Sequence, residues 1–237
     1  MTSIQELVDR IEGELRGLGD PERRRVMEGY APSELEPLGV TVPDARQTMR
    51  RVRAELKDEP PGRIVDLALA LARAGTFEGR GVGYELLGRR RDALETLDRS
   101  TVERLGEGMD NWGTVDGFSV TVSGPAWRLG RLDDGDVLAW AGSPDRWWRR
   151  AALVSTVPLN KKSRGGSGDP GRTLAVCEAL AGDREPMVAK ALSWALRELV
   201  AHDREGVEGF LDRHGEAVPA LVRREVRNKL RTGRKSG

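Results

Sequence analysis

Residues 184–203 read REPMVAKALSWALRELVAHD, and their spacing decides the fold class. Val188, Leu192, Ala195 and Leu199 recur at intervals of three and four, which draws one apolar stripe along an α-helix. The same pattern fills the chain on both sides. Ser3 and Glu6 form a capping box that opens a first helix ending near Gly17. Asp20 followed by Pro21 opens a second, because proline suits the first helical position. Helical spacing continues over residues 43–57, 62–74, 77–90, 100–109, 112–122, 134–141, 144–157, 170–181, 184–201, 205–214 and 217–231, with Gly, Pro, Asp or Ser at the joints. The segment 117–124, GFSVTVSG, is the one candidate strand, and it stands isolated. The segment 160–171, NKKSRGGSGDPG, reads as a flexible basic loop. Many short helices with short joints predict an all-α fold, an α-solenoid of stacked antiparallel helix pairs. One domain is expected over residues 1–230, with a basic disordered tail at 231–237.

Composition narrows the function classes. The chain has 237 residues, 38% hydrophobic and 32% charged, as expected of a water-soluble globular protein. Its N-terminus reads as an acidic amphipathic helix rather than a signal peptide, and no apolar run is long enough to span a bilayer. Cys177 is the only cysteine, which rules out an intramolecular disulfide and a cysteine metal cluster. The two histidines, His202 and His214, fall on different helices and read as exposed or half-buried residues without a chemical role. A cytoplasmic protein with no metal and no cofactor is expected. The net charge of +1 argues against a strongly basic nucleic-acid binder, but a phosphate ligand responds to local field. The C-terminal stretch concentrates Arg223, Arg224, Arg227, Lys229, Arg231, Arg234 and Lys235 against Glu225 alone.

Three helices depart from the ordinary amphipathic pattern. In 110–119, DNWGTVDGFS, Val115, Phe118 and Val122 draw the stripe, while Trp112 and Asp116 lie four apart on a face beside it. In 184–203, Trp194 projects away from the stripe in the company of Met187, Lys190, Arg197 and Glu198. A large aromatic ring among charges is not ordinary core, although a neighbouring helix layer could cover it. In 143–159 the apolar side carries Trp147, Ala151, Leu153, Val154 and Val157, and Arg150 falls near its middle. A guanidinium placed there needs an anion, a salt bridge or an escape to solvent.

The segments WGTVD (112–116), RWWRRAALVST (146–156), KALSWALRELV (190–200) and RREVRNKL (223–230), in this order, resemble the DNA alkylation-repair glycosylases of the AlkD type. The similarity runs from PLGV at 37–40 to Leu230. The resemblance implies HEAT-like repeats wound into a superhelix whose concave basic face holds duplex DNA. It further implies a monomer that excises purines alkylated at N3 or N7 with the lesion left stacked in the duplex, unlike the extrusion most glycosylases use. By position, the catalytic aspartate falls on Asp116, the sugar-facing tryptophans on Trp112 and Trp194, and DNA-contacting arginines on Arg150 and Arg197. Arg149, Lys190, Arg223, Arg224 and Arg227 are expected as further DNA contacts.

This chemistry gives the Trp–Asp pair a purpose. Alkylation at a ring nitrogen makes the purine a cation, so the base leaves neutral without a general acid, which suits a chain poor in histidine. Positive charge then develops on the deoxyribose, as in glycoside hydrolysis. A fixed carboxylate stabilises that charge and orients water, and an ordinary aspartate is ionised at pH 7. Indole faces favour cationic character by about 0.5–2 kcal/mol each. Gly113 stands where the resembled family commonly has an acidic residue, and Met187 where it often has an aromatic one. The competing class is a non-catalytic helical-repeat protein that binds DNA or a protein partner on the same face.

Overall fold

A computed structural model describes residues 2–235. It divides into two compact units, Met1–Val122 and Ser123–Gly237. The first contains α1 (Ile4–Gly17), α2 (Pro21–Tyr30), α3 (Val42–Glu55), α4 (Pro61–Arg73), α5 (Phe77–Gly88), α6 (Arg91–Leu94), α7 (Arg99–Gly106) and α8 (Trp112–Phe118). The second contains α9 (Gly124–Arg128), α10 (Asp134–Ala141), α11 (Arg146–Ser155), α12 (Val157–Asn160), α13 (Pro170–Ala179), α14 (Pro186–Leu199), α15 (Arg204–His214) and α16 (Ala220–Thr232). The protein is all-α, and each unit is built from packed helix pairs of the kind found in α-solenoids. No helix among the described residues is long and apolar enough to cross a membrane.

The caps act where the sequence places them. Ser3 and Glu6 close a reciprocal capping box on α1. Asp20 accepts from the N–H groups of Glu22 and Arg23 at the start of α2. Helix α16 continues to Thr232, into the segment expected as tail, and residues 236 and 237 lie outside the described residues.

In the first unit α4 and α5 pack along their lengths, with α1, α3 and α8 against them, around Ile11, Leu15, Leu67, Leu71, Leu87 and Phe118. In the second, α14 lies between α11 and α16. The stripe that decided the fold is fully inside: Val188, Leu192, Ala195 and Leu199 are all 0% exposed. Each leucine so buried contributes about 1.5–3 kcal/mol.

Two local expectations are corrected. The segment 117–124 forms no strand; among the described residues the only β feature is an isolated Glu36–Thr76 bridge. Phe118 ends α8, and Ser119–Ser123 make a π-helical turn before Pro125. Neighbouring residues are buried together, Phe118 with Ser119 and Thr121 with Val122, as a helical face packed on the core allows, whereas a strand would turn every second residue to its other face. The loop 160–171 is not free. Buried Asn160 donates from Nδ2 to the Thr156 carbonyl at 3.0 Å and to Thr173 Oγ1 at 2.8 Å, and its Oδ1 accepts from the Asp169 N–H at 3.0 Å. Arg128 Nη1 donates to the carbonyls of Pro158 at 2.9 Å and Arg164 at 3.0 Å.

Candidate functional site

Helix α8 begins at Trp112 because Asn111, 2% exposed, caps it: its Oδ1 accepts from the N–H groups of Gly113 at 2.9 Å and Thr114 at 3.1 Å. Asn111 is itself held, donating from Nδ2 to Ser33 Oγ at 3.0 Å and to Asp110 Oδ1 at 3.0 Å. Asp110 also accepts from Ser33 Oγ and from the Glu34 N–H. The cap therefore ties the start of α8 to the chain leaving α2. Val115 and Phe118 go fully inside, and Trp112 and Asp116, one turn apart, stay part-exposed beside them.

The ring of Trp112 meets Tyr30 edge-to-face, with centroids 5.4 Å apart and planes at 84°. Both line a cavity of about 360 Å³ with Met27, Leu35, Pro37 and Phe77. Gly113 packs on this side too: a Cβ there would lie 2.9 Å from Phe77 Cζ and 3.2 Å from Asn111 Oδ1. A side chain at 113 therefore needs Phe77 to move, which accounts physically for the glycine.

The PLGV segment is fixed by Glu78, a residue no sequence motif marks. Its buried carboxylate accepts from the N–H groups of Leu38 at 2.9 Å, Gly39 at 2.9 Å and Val40 at 3.1 Å. Gly39 sits at φ +79°, where a Cβ would come within 2.3 Å of the Asp20 carbonyl oxygen. The chain beside Trp112 is thus stapled to α5 and α2 by a carboxylate and a glycine.

In the second unit, Trp194 is part-exposed on α14, opposite the buried stripe as its spacing predicts. Its Nε1–H donates to Glu198 Oε1 at 3.1 Å, and Lys161 Nζ stands 3.7 Å from the same oxygen. Met187 is part-exposed and Lys190 exposed. Arg197 is half-buried; its Nε donates to Ser193 Oγ at 3.2 Å and lies 3.8 Å from Glu225 Oε2. Burial pulls its pKa down from the usual arginine value, against the pull of Glu225 and Glu198. Glu225, the one acid of the basic C-terminal stretch, also accepts from the buried Ser193 Oγ at 2.6 Å. It clasps α16 to α14 from within.

The remaining sequence-derived cations divide by surroundings. Arg150 is 5% exposed, and among its partners is the Met187 carbonyl, so it links α11 to α14. Little of its guanidinium surface is left for a phosphate. Arg149 pairs with Asp183 at 2.7 Å and donates to the carbonyls of Ser143 and Pro144. Arg223 pairs with Glu216 at 2.6 Å. Arg224 and Arg227 are exposed, with no ion pair within 4 Å among the described residues. Cys177 is fully buried and its thiol pKa is pushed up by that burial, which removes it as a nucleophile. Among the described residues no group of three or more His, Cys, Asp or Glu could hold a metal ion.

Comparison with curated proteins gives no match. Among solved structures, the chain is similar to one described as a predicted DNA alkylation repair enzyme from Enterococcus faecalis, at 17% identity and a TM-score of 0.73, over 90% of this chain and 97% of that one. At that identity the likeness concerns the fold. The family model for the DNA alkylation repair enzyme matches residues 11–230, nearly the whole length. Together with the helical-repeat fold, that match means the chain belongs to the DNA alkylation repair enzyme family.

Proposed function

We propose that this protein is a monofunctional DNA glycosylase that excises cationic N3- or N7-alkylated purines from duplex DNA. The observation that carries the reading is the pairing of Trp112 and Asp116 on α8, one turn apart and both part-exposed, in a chain of this family. A packing helix needs neither an indole nor a carboxylate at the edge of its core, whereas an oxocarbenium-like sugar needs both.

In the proposed reaction the C1′–N bond breaks and its electron pair neutralises the purine cation, so the base departs without protonation. Asp116 stabilises the positive charge growing on the deoxyribose and orients a water towards C1′. That water adds to C1′ and releases its proton to solvent. Trp112, one turn from Asp116, offers its ring face to the sugar and favours its cationic form, and by family position Trp194 is proposed as a sugar-facing ring as well. Tyr30 limits the swing of Trp112, and Glu198 holds the indole of Trp194 by its N–H. The lesion stays stacked, so no base pocket is required. Lys190, Arg224 and Arg227, which are exposed, contact phosphates along with Arg197. Arg149, Arg150 and Arg223 serve first to fix the helices that carry them. The protein acts as a monomer on cytoplasmic, nucleoid DNA.

The deciding experiment incubates the purified protein with methylated duplex DNA and measures free 3-methyladenine and 7-methylguanine. Release above the spontaneous rate is the expected result. Tight binding without release would instead make the chain a DNA-binding scaffold.

A further inference from the structure

The segment 160–168, NKKSRGGSG, contains three cations and no acid, and the architecture of the site leaves it unexplained. A basic glycine-rich segment at a joint would ordinarily move with solvent. Here its backbone is fixed at several points. Asn160 is 2% exposed, and its carbonyl oxygen lies 2.7 Å from His202 Nε2. Arg128 grips the carbonyls on either side of the turn, those of Pro158 and Arg164. The turn closes on itself: the N–H groups of Arg164 and Gly166 both donate to the Lys161 carbonyl, at 2.8 and 3.1 Å. Gly166 and Gly168 lie where a Cβ would come within 2.5 Å of the Pro158 carbonyl oxygen and 2.6 Å of the His202 ring.

What this turn presents is charge. Lys162 and Arg164 are exposed, and neither has an ion pair within 4 Å among the described residues. Lys161, by contrast, turns to Glu198, the carboxylate that receives the Trp194 indole N–H. The turn is therefore anchored through one side chain to the tryptophan of the candidate site, with its next cations facing solvent. Fixing a backbone in advance removes the ordering cost that a loose basic loop meets on binding.

We propose that residues 161–164 form a preorganised phosphate-contact turn, in which Lys162 and Arg164 bind the phosphodiester backbone of the duplex whose sugar Trp194 faces. The proposal rests on the glycosylase reading for its ligand and extends the interface beyond Lys190 and Arg197 of α14 and Arg224 and Arg227 of α16.

The test measures binding of the full-length protein to undamaged duplex DNA as a function of salt. Each neutralised phosphate steepens the plot of log K against log salt by about 0.9. K162A/R164A is expected to flatten that slope by about 1.8 and to weaken binding alike for different sequences. K162R/R164K keeps both charges and is expected to retain the wild-type slope. Both sites are exposed, so a melting curve matching wild type is expected for each variant. A slope unchanged in K162A/R164A overturns the proposal, as does flattening in K162R/R164K or the absence of duplex binding by wild type. Base release from methylated DNA is scored separately on wild type, so a glycosylase reading that fails is distinguished from a turn that does not touch DNA.

Discussion

Trp194 and Glu198 stand one turn apart on α14, and the indole N–H of the first donates to the carboxylate of the second at 3.1 Å. A tryptophan on a helix surface has several rotamers; this bond selects one. A hydrogen bond to a charged group is worth about 1.5–3 kcal/mol, an upper limit at a part-exposed site. Glu198→Ala is expected to slow excision about tenfold at saturating DNA, while Glu198→Gln, which keeps an acceptor, recovers most of the rate. Trp194→Ala should lose more activity yet melt near wild type, since its ring lies outside the buried stripe. A stability loss in the 3–5 kcal/mol range of a truncated core aromatic would mark Trp194 as packing.

Asp116→Asn keeps size and hydrogen-bonding capacity and removes the negative charge. Loss of one preorganised electrostatic group costs about 10²–10³ in rate. Excision should fall by that amount with DNA affinity unchanged or tighter, because a carboxylate near phosphates is gone. The loss should be greater for 7-methylguanine, the slower leaving base, than for 3-methyladenine. Single-turnover release of both bases measures it, and equal rates for mutant and wild type would remove Asp116 from the chemistry.

Gly39 and Glu78 fix the strap beside Trp112 from opposite sides. Gly39→Ala must hold a left-handed φ, about 1–2 kcal/mol for an L residue, and also drive a Cβ into the Asp20 carbonyl. Glu78→Ala leaves three backbone N–H groups without their acceptor. Each change should cost at least about 2 kcal/mol in denaturant unfolding. Glu78→Gln should cost less, because one amide oxygen can still accept. Wild-type midpoints for both alanine variants would refute this account of the strap.

Glu12 carries the clearest pH signature. Its carboxylate is buried on α1 and accepts from Thr76 Oγ1 at 2.7 Å, while Oε2 has no partner. Burial raises its pKa, outweighing the Thr76 hydrogen bond that lowers it. A raised carboxyl pKa means the folded state binds the proton more tightly. Its stabilising effect is complete below the unfolded value near 4.3 and is lost as pH rises through the folded value. Glu12→Gln should therefore be at least as stable as wild type at pH 8, with its relative advantage shrinking as pH falls towards 4. Thermal melts of both proteins across that range check the sign.

The sequence by itself determined the helices. Capping at Ser3 and Asp20 and the stripes through Val188–Leu199 and Val115–Val122 are local signals, read within one or two turns and kept by the fold. Trp112 and Asp116 were legible as a pair for the same reason, since four residues is one helical turn. Trp194 was legible as a surface ring because periodicity alone separates it from its own stripe. Local spacing could not supply partners from elsewhere in the chain. Glu78 meets Leu38, Gly39 and Val40 from some forty residues away, and Asn111 is held by Ser33 from seventy-eight. Glu225 reads as a stray acid in a basic tail, yet it is the clasp between α14 and α16. The loop 160–171 shows the same cause: glycine and charge signal mobility locally, while Arg128 from an earlier helix, Thr173 from the helix that follows and His202 from the turn after α14 fix it. Helix formation is set by short-range geometry and burial pattern. Which polar group satisfies which is decided only when packing brings remote donors and acceptors within hydrogen-bond reach.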